Sequence, residues 1–220
     1  MSTITVYIRN LVVLGAVILT ASAVTMAQKK VSTLEAEKRL AELGYWVAKV
    51  DGVADASTRH AVMAFQKVEG LKRTGVLTAA VFEKMKEATV PTAKYDGGAH
   101  VEVDISRQVL FVVDDTGQVG LIVPVSTGNG EKYYDKTTGK WEVASTPRGT
   151  FKFYNKINGT RVAPLGQLYY PSYFKGGWAV HGSNSIPPKP ASHGCVRVPR
   201  GADAKLFKLM PRGMEIHLYD

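Results

Sequence analysis

Residues 192–197 read SHGCVR and contain the only cysteine of the 220-residue chain, Cys195. A thiol becomes an effective nucleophile when a base takes its proton, positive charge favours the thiolate, and backbone N–H groups stabilise an oxyanion. This segment can supply these groups, and a second histidine, His181, lies fourteen positions upstream of Cys195. The segment therefore predicts a cysteine-dependent acyl-transfer enzyme.

The neighbours of the cysteine suggest how such a site would be arranged. Arg197 lies two residues after Cys195, so an extended segment would place both side chains on one face. Its fixed charge can favour the thiolate and bind a carboxylate through two parallel hydrogen bonds. Gly194 has no Cβ, which lets a carbonyl group approach the backbone closely. The alternatives are a structural salt bridge for Arg197 and a buried apolar role for Cys195.

The N-terminal residues predict export. Residues 11–27 are apolar or small throughout, follow Arg9, and offer small-residue cleavage sites near their end. This pattern is typical of a signal peptide at residues 1–27. An uncleaved membrane anchor is the alternative, because the stretch lies near the lower length limit for a membrane span. In either case one cysteine cannot form an internal disulfide, so the thiol is free or pairs between chains.

The charge of the chain favours an anionic partner. It has 28 basic and 19 acidic residues, a net charge of +9. Removal of residues 1–27, which carry one basic and no acidic residue, leaves +8. A basic exported protein suits cell-wall polymers or lipid head groups. The basic residues are scattered and no nucleic-acid-binding motif is present, so nucleic acid is not expected as a partner.

Residues 31–88 have the apolar periodicity and capping residues of three short helices. Ser32 begins a capping box for the first helix, which ends at Gly44. The second is expected over residues 57–69, and Thr78 can cap the third. The segment therefore predicts a small three-helix domain near the lower size limit for a stable core.

This segment resembles the three-helix peptidoglycan-binding domain found beside many bacterial wall enzymes. Asp55 stands where that family usually has glycine, so the turn is expected to be either slightly strained or different from that of the family. The resemblance implies a wall-binding role, and a helical spacer without a ligand is the alternative. The matching residues are Leu40, Leu43-Gly44-Tyr45, Asp51-Gly52, Thr58, Ala61-Val62, Phe65-Gln66, Gly70-Leu71 and Thr74-Gly75.

The rest of the chain predicts a flexible linker followed by a mainly β domain. Residues 89–99 contain proline and a Gly-Gly pair without periodicity. Residues 100–220 show strand patterns, with a long loop or hairpin over 126–145, one short helix over 203–209 and a closing strand over 215–219. Helices do not alternate with these strands, so a parallel α/β sheet is not expected. The predicted fold class is α+β.

Residues 100–220 resemble the L,D-transpeptidase catalytic family, whose members act on bacterial peptidoglycan. Between the two central motifs, residues 184–191 form a short interval with three prolines, which predicts an altered rim of the active site. The matching residues are Thr146-Pro147, Gly149-Thr150-Phe151, His181-Gly182-Ser183, the segment 192–197 and Met214-Glu215-Ile216-His217-Leu218.

The resemblance implies a role for each candidate residue. Cys195 is the nucleophile and His181 is its base, oriented by the backbone carbonyl of Gly182 rather than by a carboxylate. The backbone N–H groups of residues 193–195, Gly194 among them, form the oxyanion hole. The residues that bind substrate or shape its pocket are Arg197, Ser192 and His193. No cofactor and no metal ion are implied.

The implied reaction is acyl transfer through a thioester on Cys195. The thiolate attacks the third residue of a peptidoglycan stem peptide and releases a terminal D-amino acid, and an amine of a neighbouring stem then takes the acyl group. Water as acceptor would make the protein an L,D-carboxypeptidase, and a wall lipoprotein as acceptor would make it an anchoring enzyme. The implied partners are stem peptides and glycan, and the implied location is the periplasm or cell wall. The sequence leaves the oligomeric state open.

Two readings from other classes compete with this one. His181, His193 and Cys195 provide three ligands of the types that a zinc ion with one open position would use. The other reading is a non-catalytic wall-binding protein that only resembles the enzyme. The presence of the cysteine, the histidine and the arginine together argues against a non-catalytic protein.

Overall fold

The computed structural model describes residues 31–220, so the signal peptide or anchor predicted at residues 1–27 lies outside the described residues. Within that range, no helix has both the length and the apolar character needed to cross a bilayer. Three helices come first, followed by a mostly β region that contains one further helix. This order confirms the predicted α+β class.

The N-terminal helices are α1 (Thr33–Glu42), α2 (Ala56–Val68) and α3 (Ala79–Glu87). Each begins at a residue whose side chain accepts a backbone N–H three positions later, and these caps are Ser32, Asp55 and Thr78. Helices this short are only marginally stable alone, since isolated helices below about 12–15 residues barely form in water. Packing against the rest of the protein must therefore stabilise them.

Asp55 is a helix cap with an ordinary backbone conformation. Its φ is −97°, in the extended region, and its carboxylate accepts the N–H of Thr58 at 2.9 Å. An aspartate at the N-cap stabilises a helix because it satisfies a free backbone donor. Of the two alternatives for this turn, the structure excludes a strained left-handed backbone and has a different turn in which Asp55 is a favourable cap.

The β region has two main sheets and a separate hairpin. The first sheet has the order β3-β2-β1-β12-β6, and the second has the order β11-β10-β9-β7 with β8 also paired to β9. The pairs β1–β12 and β10–β11 are parallel, and the others are antiparallel. Strands β4 and β5 form the hairpin. The bounds are β1 (His100–Asp104), β2 (Val109–Val113), β3 (Val119–Pro124), β4 (Lys132–Asp135), β5 (Lys140–Val143), β6 (Gly149–Lys152), β7 (Asn155–Lys156), β8 (Thr160–Ala163), β9 (Gly166–Lys175), β10 (Trp178–Ser183), β11 (Val196–Pro199), α4 (Ala202–Leu209) and β12 (Glu215–Tyr219).

A core between the two sheets fixes the position of β10 and β11. Val180 of β10 and Val196 of β11 are buried there with apolar residues of β1, β2, β3 and β12. Because side chains alternate along a strand, the neighbours of these valines lie on the opposite face. Parallel strands cannot be joined by a tight turn, so the chain between β10 and β11, residues 184–195, forms a long crossover that contains the cysteine.

A second core joins the helices to the outer face of the first sheet. Val109, Phe111 and Val113 of β2 pack there with residues of α1, α2 and α3. Strand β2 is therefore buried on both faces, which explains its uninterrupted apolar run. Full burial of one such side chain contributes roughly 1.5–3 kcal/mol, so a few of them offset the weakness of the short helices. The helical segment and the β region thus share a core.

The segment between helices and sheet is held in place. Residues 89–99 contain no helix or strand, as expected of a linker. However, the N–H groups of Lys94 and Tyr95 donate to the buried carboxylate of Glu102 at 2.8 and 2.7 Å. The ring of Tyr95 also stacks on His217, with centroids 4.2 Å apart. The end of the predicted flexible linker therefore packs against the β region.

Candidate active site

Three predicted side chains share one face of the β10–β11 pair. His181 is directly opposite Arg197 in the parallel register, and Cys195 immediately precedes β11. Since alternate residues face the same side, Cys195 and Arg197 point away from the core that holds Val196. All three side chains line one cavity of about 760 Å³. The structure thus brings together residues separated by up to sixteen positions in sequence.

The orientation of His181 is set by its own neighbour. The ring is buried, and Nδ1 lies 2.9 Å from the carbonyl oxygen of Gly182. A carbonyl can only accept, so Nδ1 carries the hydrogen and a neutral ring keeps Nε2 as an acceptor. That is the tautomer a general base needs.

Gly182 has no room for a side chain. A Cβ at this position would lie 2.0 Å from Oδ2 of Asp203, a buried residue at the start of α4. The other oxygen, Oδ1, accepts the N–H groups of Gly201 and Ala204 at 2.9 and 2.8 Å, which fixes the carboxylate behind His181. Oδ2 lies 3.1 Å from Nε of Arg200 but outside hydrogen-bonding geometry. Sequence analysis missed Asp203, whose only signal was an acid in the first turn of a helix.

Burial dominates the protonation of the two reactive groups. It raises the pKa of the Cys195 thiol above its ordinary value, although an N–H of Ala179 and the charge of Arg197 act in the opposite direction. Burial also lowers the pKa of His181 to about 4, which the hydrogen bond to Gly182 opposes. Arg197 therefore favours the thiolate, as expected, but burial outweighs it. We therefore expect the pair to be a thiol and a neutral imidazole at neutral pH rather than an ion pair.

This protonation state predicts how the thiol responds to pH. Below its raised pKa, the thiolate fraction of Cys195 grows about tenfold for each pH unit. Alkylation of the free enzyme by iodoacetamide should therefore keep rising from pH 6 to pH 9. A small-molecule thiol measured in parallel corrects for the reagent. A plateau that begins below pH 7 would instead indicate a preformed thiolate–imidazolium pair and would contradict this prediction.

Hydrogen bonds fix the turn that carries the cysteine. The hydroxyl of Ser192 accepts the N–H of Gly194 at 2.9 Å and donates to the carbonyl of Cys195 at 2.6 Å. Thr146 donates to the carbonyl of Gly194 at 2.6 Å and accepts the N–H of Gly128 at 2.9 Å. The hydroxyl of Ser192 therefore shapes the loop by holding the backbone of Gly194 and Cys195. Thr146 belongs to the Thr146-Pro147 pair that matches the catalytic family, but the sequence predicted no role for it.

Glycine is required at position 194. Its φ is +133°, and a Cβ there would lie 2.5 Å from Nε1 of Trp178 and 2.8 Å from the carbonyl oxygen of Ser145. Because its N–H already donates to Ser192, Gly194 is engaged within the protein. The N–H groups of His193 and Cys195 have no acceptor among residues 31–220. Of the three N–H groups predicted to form the oxyanion hole, these two are therefore the candidates that could donate to a substrate.

Two hairpins form the rim of the cavity. The β4–β5 hairpin contributes Tyr133, whose ring packs edge-on against the exposed His193 with centroids 4.7 Å apart. The β8–β9 hairpin contributes Leu165 on the other side, and Asn184 lines the rim from the proline-containing interval. The sequence carried no signal for either hairpin residue, because the contact with the site is made across the fold.

No group of three or more His, Cys, Asp or Glu side chains is placed to hold a metal ion in the part of the chain from residue 31 to residue 220. His181, His193 and Cys195 nevertheless line the same cavity. Incubation with a chelator tests the alternative of a zinc site directly.

The chain is similar to known L,D-transpeptidases in sequence and in structure. A family profile of the L,D-transpeptidase catalytic domain matches residues 98–218, and a profile of a peptidoglycan binding domain matches residues 29–85. The crystal structure of an L,D-transpeptidase from Xylanimonas cellulosilytica is 42% identical, with a TM-score of 0.80, over 85% of this chain and 92% of that chain. An L,D-transpeptidase from Stackebrandtia nassauensis is 24% identical, with a TM-score of 0.50, over 86% of this chain and 90% of that one. That second likeness concerns the fold alone. A search of curated proteins found no match.

Proposed function

Since this chain belongs to the L,D-transpeptidase family, we propose that it is an exported cysteine acyltransferase that cross-links or remodels peptidoglycan through a thioester on Cys195. The observation that carries the proposal is the common cavity lined by Cys195, His181 and Arg197 on one face of β10 and β11. Family membership supports the enzyme class. The geometry supports the assignment of roles within it.

The first half of the reaction forms the thioester. Nε2 of His181 takes the thiol proton as Sγ of Cys195 attacks the carbonyl of the third stem-peptide residue. The N–H groups of His193 and Cys195 donate to the oxyanion of the tetrahedral intermediate. The imidazolium then gives its proton to the leaving amine, and the terminal D-amino acid departs. A neutral resting pair suits this sequence, because the proton moves only when the substrate is in place.

The second half transfers the acyl group. An amine of a neighbouring stem attacks the thioester carbonyl and gives its proton to His181, which restores the thiol of Cys195. The product is a link between two third-position residues. Water or a protein amine could occupy the same position as the acceptor, and the exposed rim formed by the two hairpins is where the acceptor would enter.

Arg197 is the proposed contact for a substrate carboxylate. It is half-buried on the cavity wall, and no acidic side chain among residues 31–220 pairs with it. A structural salt bridge, the alternative role, therefore has no partner in the described part of the chain. A guanidinium can bind a carboxylate through two parallel hydrogen bonds, which would orient the donor stem.

We propose that the helical segment holds the enzyme on the wall polymer. Its family match supports this role. A cleft of about 870 Å³ lies between the start of α2 and the residues before α3, and its lining includes Asp55, Arg59 and Thr78. Attachment to the polymer would raise the local substrate concentration without altering the chemistry. A spacer that only stabilises the sheet remains the competing role.

Product analysis tests the proposed reaction. The mature protein is incubated with a soluble disaccharide-tetrapeptide, and the products are identified by mass spectrometry. We expect a dimer joined through two third-position residues, with loss of one terminal D-amino acid. Tripeptide alone would identify water as the acceptor and a carboxypeptidase. The absence of any product from folded protein, with the substrate shown to be intact, would favour the non-catalytic reading.

A further inference from the structure

A lysine of the helical segment lies completely buried against the β region. Lys67 of α2 has no exposed surface, and its Nζ donates to the carbonyl oxygens of Gln108 at 3.1 Å and Val125 at 2.9 Å. Burial, together with the smaller effect of the Arg73 charge, lowers the pKa of Lys67 to about 7. Either protonation state keeps at least two N–H donors, which matches the two carbonyls. Placing an amine in a core is costly without such partners.

The first of these carbonyls belongs to a residue with an uncommon backbone. Gln108 has a φ of +62°, in the left-handed region, although it is not glycine and is buried. Such conformations persist only where the surroundings determine them, and they cluster at functional sites. The side chain of Gln108 donates to Ile105 O and Thr127 Oγ1, both at 2.6 Å, and accepts the N–H of Thr127 at 2.9 Å. Gln108 therefore links the helix contact to Thr127.

Thr127 connects directly to the cysteine segment. Its carbonyl accepts the N–H groups of Ala191 and Ser192, each at 2.9 Å. The hydroxyl of Ser192 in turn holds the backbone of Gly194 and Cys195. Next to it, Ser126 exchanges two backbone hydrogen bonds with Arg197, each at 3.1 Å. The chain that follows β3 is therefore the support on which the catalytic segment rests.

We propose that Lys67, through Gln108 and Thr127, is a positioning residue for the Cys195 turn, so that the helical segment is part of the catalytic apparatus as well as a wall-binding element. The turnover assay of this inference rests on the proposed function, whereas the assay of Cys195 alkylation does not. Its physical basis is a continuous series of hydrogen bonds between buried groups from α2 to Ser192. Loss of the Lys67 amine removes the buried donor to the Val125 carbonyl and leaves the Gln108 carbonyl with only the N–H of Val125, at 2.9 Å, so the supporting chain can then shift.

Lys67→Met removes the donors while keeping the length and the apolar stem. We expect kcat on the soluble disaccharide-tetrapeptide, per folded molecule, to fall about 10- to 100-fold, the scale for a misplaced reacting group. KM should change less than about threefold, because the interaction concerns the reacting geometry rather than substrate binding. The rate of Cys195 alkylation by iodoacetamide should change as well. Met85→Ala is the matched control, since it opens a cavity in the same helical core without touching this network.

A second pair of variants keeps the test decisive if Lys67→Met does not fold. Thr127→Val removes the hydroxyl that accepts from Gln108, and Thr127→Ser retains it. We expect the valine variant to lose kcat like Lys67→Met and the serine variant to stay within about threefold of wild type. Equal kcat in wild type, Lys67→Met and Thr127→Val would overturn the proposal, as would an equal loss in Met85→Ala. If the wild type itself shows no turnover, the proposed function fails, and unchanged alkylation rates in Lys67→Met and Thr127→Val would overturn this inference separately.

Discussion

Replacement of Cys195 by alanine is expected to abolish turnover of the disaccharide-tetrapeptide while the protein remains folded. The side chain is half-buried at the wall of the cavity, and its Sγ contacts only backbone groups, the carbonyl oxygen of Gly177 at 3.7 Å and the N–H of Ala179. The substitution therefore removes the nucleophile without opening a hole in either core. Product formation is measured by mass spectrometry, and folding by thermal unfolding followed with circular dichroism.

Cys195→Ser is the matched control for this experiment. It keeps a polar atom of similar position but replaces the thiol by a hydroxyl, which is a far weaker nucleophile at neutral pH. We expect it to be as inactive as the alanine variant. A carbapenem, which the family resemblance implies as an acylating agent, should add covalently to the wild type and to neither variant. Substantial turnover by well-folded Cys195→Ala would refute the thioester mechanism.

Replacement of His181 by alanine is expected to lower kcat/KM by about 10²–10⁴, the usual range for general acid–base catalysis. The carbonyl of Gly182 fixes Nδ1 of the His181 ring, so Nε2 is left to accept the thiol proton. The remaining rate would come from the oxyanion donors and from substrate positioning. The measurement is the steady-state rate on the soluble substrate, corrected for the folded fraction.

The variant His193→Ala distinguishes a general-base role of His181 from a zinc site formed by His181, His193 and Cys195. As an exposed rim residue packed on Tyr133, His193 should affect the rate much less than His181. As a zinc ligand, it would be as important as His181. Incubation with EDTA gives the independent check, because a base mechanism needs no metal ion. Activity lost in EDTA and restored by zinc would argue for the metal site instead.

Local patterns were sufficient to predict the helices and several of the strands, but not β7, β8, β9 or β11. Capping residues and apolar periodicity placed the helix starts at Ser32 and Thr78 to within a residue, because a cap satisfies backbone donors a few positions away. The strand over residues 215–219 was predicted with the bounds that the structure has. Strand β10 continues beyond the histidine of its motif to Ser183, since pairing with β11 extends it. Strand ends depend on a partner that the local pattern does not contain.

The chemistry of the candidate site was predicted in part. The motifs indicated Cys195, His181 and the carbonyl of Gly182, and all three lie in the arrangement they implied. The sequence predicted that the charge of Arg197 lowers the pKa of the thiol, but it did not predict that this pKa is raised on balance. Burial is a property of the folded molecule, and it raises the pKa of Cys195 more than Arg197 lowers it. The choice between a strained and a different turn at Asp55 was left open for a related reason, since only the observed φ distinguishes a cap from a strained turn.

The sequence by itself indicated the candidate nucleophile and its candidate base, the two structural classes along the chain and the places where helices begin. These depend on residues that are close together or on a motif of fixed spacing. Only the tertiary structure decided that the helices cover β2 and β3, that Asp203 fills the space behind Gly182, and that Lys67 reaches the support of the cysteine turn. Each of these contacts joins groups far apart in sequence, and their burial and partners exist only after the chain has packed.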